Sequence, residues 1–112
     1  MAKYECELHG GFSAILNDVE KNVMGGSLSA SKEDGSDFTV GGCRCAVRVY
    51  ERYSMLGSNR VSLSVTLLEA DGRVFLSAIT SGGSQAMFFK LNTMGEEFFL
   101  NCIRDVVTAY QK

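Results

Sequence analysis

CRCAVRVYERYSMLGSNRVSLSVTLL, residues 43–68, decides the fold, because apolar and polar side chains alternate through both of its halves. Successive side chains of a β-strand point to opposite faces, so the alternation predicts two antiparallel strands joined by a turn at SMLGSN. We expect one face to be buried, and it carries Cys45, Val47 and Val49 with Val61, Leu63, Val65 and Leu67. We expect the other face to meet water, and it carries Arg44, Ala46, Arg48, Tyr50 and Arg52 beside Ser62, Ser64 and Thr66.

The two ends of the chain each predict a helix. KYECEL, residues 3–8, alternates as a strand with one wet face, and an amphipathic stripe follows it. That stripe consists of Phe12, Ile15, Leu16, Val19 and Val23, and we expect Gly25 and Gly26 to end the helix with a left-handed residue. Near the C-terminus, Thr93 and Glu96 have the spacing of a capping box, which predicts the start of a second helix. The apolar stripe of this helix is Phe99, Leu100, Ile103, Val107 and Tyr110.

Glycine pairs mark the turns of the predicted sheet. The Asp-Gly pair of KEDGSD, residues 32–37, predicts a hairpin whose return strand carries Phe38 and Val40. EADGR, residues 69–73, predicts another such turn. VFLSAITS, residues 74–81, is apolar on both of its sides, so we expect this strand to be covered on both faces. SQAMFFKLN, residues 84–92, reads as a strand of weaker alternation.

The order of these elements predicts an α+β domain that spans residues 1–112. A strand, a helix, several more strands and a second helix, in the order β-α-β-β-β-β-β-α, give an antiparallel meander sheet. In the resulting two-layer sandwich both helices cover one face of the sheet. A chain of 112 residues is long enough for one such core and too short for two.

Composition and charge exclude several classes of function. Apolar residues make up 46% of the chain and charged residues 21%, as in soluble globular proteins. A formal net charge of -2 disfavours nucleic acid as a partner, and no apolar run is long enough to cross a membrane. Because no signal peptide accompanies the four cysteines, we expect a cytoplasmic protein with reduced thiols. Cys43 and Cys45 would point the same way from one strand, a poor geometry for zinc, so we expect neither a metal nor a cofactor.

ITSGGSQA, residues 79–86, is either an anion-binding loop or a plain turn. Backbone amides in this stretch could surround a phosphate or carboxylate, helped by the hydroxyls of Thr80 and Ser81. The spacing matches neither a Walker loop nor a dinucleotide loop, and a Gly-Gly pair equally suits a hairpin. The candidate ligand-binding residues here are Ser81, Gly82, Gly83, Ser84 and Gln85.

A row of arginines on the predicted outer face of the sheet is the second candidate site. Arg48, Tyr50 and Arg52 share a face with the neighbouring hydroxyls, a combination suited to carboxylate or phosphate groups. Two other interpretations stay open. The arginines could pair with carboxylates across the strands, or this face, together with Phe75, could pack against a second copy and form a homodimer.

Three separated blocks of sequence also resemble a known family. RCAVRVYERYS (44–54), NRVSL (59–63) and ITSGGSQA, taken with the opening MAKYE, are similar to small bacterial proteins, mainly from Firmicutes, that form a domain of unknown function. The resemblance covers nearly the whole chain and implies a bacterial, intracellular protein of one domain. It implies no catalytic residue.

The sequence therefore favours a non-enzymatic protein that acts through binding, either to itself or to a small anionic or amphipathic ligand. A groove between the sheet and the C-terminal helix, lined by Phe88, Phe99 and Ile103, is another place for such a ligand. The alternative is a ligand-binding protein or an enzyme with an anion site, where Arg48, Tyr50 or Gln85 would converge with a buried carboxylate. The sequence contains no recognisable set of general acid, base and nucleophile.

Overall fold

The computed structural model of the protein describes residues 2–26, 29–53, 60–82 and 89–111, with the backbone alone from 89 to 99. Its elements in chain order are β1 (Ala2–Leu8), α1 (Phe12–Gly25), β2 (Ser31–Val40), β3 (Cys43–Tyr53), β4 (Arg60–Ala70), β5 (Arg73–Gly82) and α2 (Phe89–Tyr110). The predicted turn at SMLGSN, residues 54–59, lies outside the described residues.

The strands form one antiparallel sheet in the order β1-β5-β4-β3-β2. Strands β2 to β5 follow one another as a meander, and β1 returns to pair with β5 at the edge of the sheet. Both helices contribute to one core with the sheet, and they also pack against each other. The predicted α+β class, the antiparallel sheet and the position of the helices are confirmed.

The predicted apolar stripes of the helices are confirmed where side chains are described. Phe12, Ile15, Val19 and Val23 of α1 are buried, and Leu16 packs beside them. In α2, Leu100, Ile103 and Val107 are buried in the same core. The start of α2 differs from the prediction, because the helix begins at Phe89 and Thr93 lies inside it. Residues 89–92 are therefore helical, and the rest of the predicted strand at 84–88 lies outside the described residues.

Gly26 ends α1 for a reason other than the predicted one. Its φ is -81°, which is right-handed, so the expected left-handed termination is wrong. Gly26 instead lies against α2, and a Cβ at this position would stand 2.6 Å from Cys102 Sγ. The absence of a side chain lets the end of α1 approach α2 closely.

Strand β2 is one continuous strand, so the hairpin predicted at KEDGSD is wrong. Asp34 and Gly35 pair with Val49 and Arg48 of β3, and the pairing shifts at a bulge between Lys32 and Asp34. The chain turns later, at Gly41 and Gly42, whose φ values of 58° and 83° suit a tight hairpin. The described part of the sheet therefore has five strands, one fewer than the predicted pattern. The turn predicted in EADGR is confirmed, since Asp71 and Gly72 have φ values of 54° and 72°.

Candidate functional site

Strand β3 presents to the helices the side that the sequence placed in water. Tyr50 and Ala46 are 0% and 1% exposed, and they pair with Leu63 and Leu67 of β4 on the core side. Val47 and Val49 are half-buried on the opposite side, beside Thr66 and Ser64. The expectation that Val47 and Val49 belong to the core is wrong, whereas the expectation for β4 is confirmed. A strand misplaced by one residue exchanges its two faces completely.

Contacts with α1 explain why β3 faces this way. The phenol of Tyr50 donates a hydrogen bond to Glu20 Oε1 at 3.2 Å, so its ring is buried while its polar end finds a partner. Burial raises the pKa of Tyr50, and the nearby Glu20 carboxylate raises it further. Arg44 lies over the ring of Phe12, 4.3 Å from its centroid, and donates to Ser13 Oγ. The side chains of Tyr50 and Arg44 are long enough to bring a polar group to α1. Valine side chains are too short to do so and have no polar group.

Arg48 joins β3 to the edge strand β2. Its side chain is 14% exposed and pairs with Asp37 at 3.0 Å, and it also donates to the carbonyl oxygen of Val47 at 2.9 Å. Gly35 leaves room for it, because a Cβ there would lie 3.2 Å from Arg48 Cδ. A shallow cavity of about 300 Å³ adjoins this ion pair and is bordered by both basic and acidic side chains. Arg48 thus already has an anionic partner within the chain.

The structure does not assemble the other predicted site residues into one place. Arg52 lies on the helix side of the sheet, where burial lowers its pKa, and Ser81 lies on the opposite side beside Ser62. Gly82 ends β5 and pairs with Val61. Thr80 is buried, and its hydroxyl bonds to the backbone of Ala2. Gly83, Ser84 and Gln85 lie outside the described residues.

The arginine row and the serine ladder are therefore on opposite faces of the sheet. The predicted anion site that combined them does not form a single surface, although ligand binding by the individual residues stays a prediction. Ile103 is fully buried in the core, so at this position the predicted groove beside α2 is filled. Phe88 and the side chain of Phe99 lie outside the described residues.

The side of the sheet away from the helices, here called the uncovered face, carries a band of apolar side chains. Cross-strand neighbours Phe38, Cys45, Leu68 and Phe75 form a row across β2, β3, β4 and β5. The exposed phenylalanine and aliphatic side chains on this face are Phe38 (52%), Val40 (69%), Leu68 (37%), Phe75 (37%) and Ile79 (38%), and Tyr53 (56%) lies beside Arg60 at its end. The expected cover on both faces of β5 is not present within the described residues.

Charged side chains lie around this apolar band, and several of them form ion pairs or hydrogen bonds. Arg73 donates to both carboxylate oxygens of Glu7, at 3.0 and 2.9 Å, and this hydrogen bonding lowers the pKa of Glu7. At the other end of the face, Arg60 forms an ion pair with Glu51. Glu5 accepts a hydrogen bond from Ser77 at 2.8 Å. The uncovered face thus has an uncharged centre, where Ser64, Thr66 and Ser77 lie beside apolar side chains, and a charged rim.

The predicted homodimer surface combined residues that the structure separates. Tyr50 lies under α1, whereas Phe75 lies on the uncovered face. No one surface contains both, but dimerisation itself stays a prediction. The sequence did contain a signal for the uncovered face, because Phe75 and Ile79 alternate with core residues along β5.

The four cysteines divide between the two faces. Cys43 and Cys45 are half-buried on the uncovered face, and Cys6 and Cys102 lie on the helix side, where burial raises the pKa of both thiols. Across the described ranges, no three His, Cys, Asp or Glu side chains converge in a way that could hold a metal ion. Neither described helix is long and apolar enough to cross a membrane.

This arrangement defines a two-layer α+β protein with a candidate binding surface on the uncovered face of its sheet. The family model DUF6054, a family of unknown function, matches residues 1–111, and the chain belongs to this family. The resemblance seen in the sequence to a domain of unknown function is confirmed. A search of the curated proteins found no match.

Solved structures with a similar fold include the crystal structure of PA94, a protein of unknown function from Pseudomonas aeruginosa, which shares 10% sequence identity with this chain. The superposition has a TM-score of 0.52 and covers 86% of this chain and 78% of the other. At this identity the likeness concerns the fold alone.

Proposed function

We propose that this protein is a non-enzymatic binding protein that associates with a second copy of itself through the uncovered face. The observation that carries the proposal is the exposure of five large apolar side chains on that face, from Phe38 to Ile79. So many exposed large apolar side chains on one face are unusual on a monomer and are characteristic of interaction sites. The pattern of an uncharged centre inside a polar rim is also that of protein interfaces.

The charges of the rim favour a second copy over a partner of opposite charge. Glu7 is satisfied by Arg73, and Glu51 by Arg60, so these groups present little unpaired charge to attract a basic or an acidic protein. An apolar and nearly neutral surface is complementary to itself. A two-fold interface uses the same patch on both subunits, so the patch has to be complementary to itself, as this surface is.

We also propose that the protein works in the cytoplasm. None of its four cysteines forms a disulfide, which supports a reducing compartment, since secreted proteins of this size commonly form disulfides.

Charge placed on the uncovered face tests self-association. Leu68→Glu puts a carboxylate between the uncharged neighbours Cys45 and Phe75, where water solvates it in the free chain, whereas in a dimer it would be buried without a partner. A buried unpaired charge costs about 3 kcal/mol or more, which is over a hundredfold in Kd. Met24→Glu is the matched control, because Met24 on α1 is 38% exposed and Leu68 is 37% exposed, but Met24 lies outside the sheet.

Light scattering after size exclusion measures the result. We expect twice the chain mass of 12.2 kDa for the unaltered protein and for Met24→Glu, and the mass of one chain for Leu68→Glu. An unaltered protein that stays monomeric at high concentration would contradict the proposed function. Equal behaviour of the two variants would show that association uses another surface.

A further inference from the structure

We infer that the second copy packs sheet against sheet, about a two-fold axis that runs along the strands between β3 and β4. This inference rests on the proposed function and adds the arrangement of the two copies. It follows from the positions of charged groups on the uncovered face and from the dimensions of the sheet.

Part of the uncovered face contains no charged residue and is surrounded by charged residues; we call this part the block. The block extends over β2, β3, β4 and β5, and the charged residues at its limits are Asp34, Glu51 and Arg73. On the fifth strand, β1, the outward side chains are Lys3, Glu5 and Glu7, so this strand lies outside the block. The middle of the block is the space between the cross-strand pairs Cys45 with Leu68 and Val47 with Thr66.

The block and its charged rim together have the dimensions of a stable interface. Strands lie about 4.8 Å apart and rise about 3.3 Å per residue, so four strands of about ten residues, rim included, present about 19 by 33 Å of sheet. This is on the order of 600 Å² in projection, before the relief of the side chains adds to the accessible area. A stable interface needs about 800 Å² of accessible surface from each partner.

Two sheets that face each other are related by a two-fold axis that lies between them and parallel to both. Such an axis can run along the strands or across them and still place one uncharged block on the other. An axis across the strands, through the middle of the block, would lay Glu7 of one copy over Glu5 of the other, because these residues lie on either side of that line. Arg73 offsets the charge of Glu7, but Glu5 accepts its hydrogen bond from the neutral Ser77 hydroxyl, so its charge would lose water and face another carboxylate.

An axis along the strands avoids this repulsion. It places β3 of one copy over β4 of the other, and β2 over β5. Strand β1 then projects beyond the edge of the facing sheet, so Lys3, Glu5 and Glu7 remain in water. The strands of the two sheets keep nearly the same direction, which is the aligned packing common in β-sandwiches. The particle would have four layers, with helices outside and two sheets inside.

The two axes predict opposite proximities for two positions on the uncovered face. With the axis along the strands, the two Cys43 residues of the dimer are offset by about 5 Å in the plane of the sheets. Ser77 is one and a half strand spacings from the axis, so the two Ser77 residues are offset by about 14 Å. With the axis across the strands these separations become about 20 Å for Cys43 and about 7 Å for Ser77. Cys43 is a native thiol, and a cysteine can be introduced at Ser77.

Cross-linking of full-length variants with a short bis-maleimide distinguishes the axes. One variant carries only Cys45→Ser, so Cys43 is its remaining thiol on the uncovered face. The other variant combines Ser77→Cys with Cys43→Ser and Cys45→Ser. A parent with Cys43→Ser and Cys45→Ser alone measures the background from Cys6 and Cys102, whose burial slows their reaction. Light scattering and circular dichroism of each variant establish its mass and its folded state before cross-linking.

We expect covalent dimer from the variant that keeps Cys43 and only background from the variant with a thiol at position 77. The reverse pattern would overturn the axis and leave self-association standing. A dimer by mass that cross-links through neither thiol would overturn face-to-face packing. Monomeric mass for all variants and for the unaltered protein would overturn the inference together with the proposed function.

Discussion

Replacement of Tyr50 tests which side of β3 forms the core. Tyr50→Ala removes a ring that is fully buried and a hydrogen bond to the Glu20 carboxylate, whereas Val49→Ala removes two methyl groups that are only half-buried on the uncovered face. We expect Tyr50→Ala to lower the free energy of unfolding by about 3–5 kcal/mol, as large-to-small substitutions of buried aromatic residues do. Val49→Ala should lower it by about 1 kcal/mol or less.

Tyr50→Phe separates the hydrogen bond from the ring. The bond joins a phenol to a charged acceptor, so its loss should cost about 1–2 kcal/mol, at the lower end because Glu20 keeps its ion pair with Lys32 at 3.4 Å. The free energy of unfolding of Tyr50→Phe should therefore lie between the values for Tyr50→Ala and Val49→Ala.

Urea denaturation of dilute protein, where association contributes least, measures all three variants. With a slope of about 1.5 kcal/mol/M, the midpoint should fall by about 2–3 M for Tyr50→Ala and by about 0.5 M for Val49→Ala. A larger loss for Val49→Ala than for Tyr50→Ala would refute the orientation of β3 and, with it, the composition of the uncovered face.

Three further predictions concern titration and helix packing. The raised pKa of Tyr50 means that its contribution to stability is complete below pH 10.0 and is lost as the pH rises above that value, so alkaline unfolding should be less steep for Tyr50→Phe than for the unaltered protein. Gly26→Ala should destabilise the protein by about 1–3 kcal/mol because its Cβ would meet Cys102 Sγ, and adding Cys102→Ala should recover part of that loss in a double-mutant cycle. The pKa of Glu7, measured by NMR, should lie below 4.5 and return toward that value in Arg73→Gln, and its stabilising effect should be lost as the pH falls through the lowered pKa.

The sequence predicted the class of fold because the helical and strand periodicities of this chain extend over whole elements. The stripe of α1 and the alternation of β4 each place apolar residues on one side and polar residues on the other, so only one orientation buries them. The turn at Asp71 and Gly72 was also predictable, since both residues tolerate positive φ and the strands on either side of it alternate regularly.

The phase of β3 was not predictable from alternation, because both of its sides can be buried. Val47 and Val49 look like core residues by composition, but Tyr50 buries more surface and can reach Glu20 with its hydroxyl. That choice depends on α1, a distant part of the chain. The same limit applies to the turn after β2. Asp34-Gly35 and Gly41-Gly42 are both acceptable local turns, and pairing with all of β3 selects the second.

The candidate site followed from this error of phase. An interpretation that hides Val47 and Val49 leaves arginine on the outside and suggests an anion site, whereas the observed phase leaves an apolar band outside and suggests a protein interface. The hydroxyls of Ser62 and Ser64 were placed correctly, but their neighbours across the strand were not.

The bulge in β2 has a consequence for how far an assembly of this protein can grow. A free, regular edge strand accepts further strands and lets sheets extend without limit into fibrils. In β2 the hydrogen-bonding register is interrupted between Lys32 and Asp34, and the side chains there are charged. Edge-to-edge addition is therefore discouraged at this border of the sheet. A protein whose edge strand is interrupted in this way can associate through the face of its sheet and still form particles of finite size.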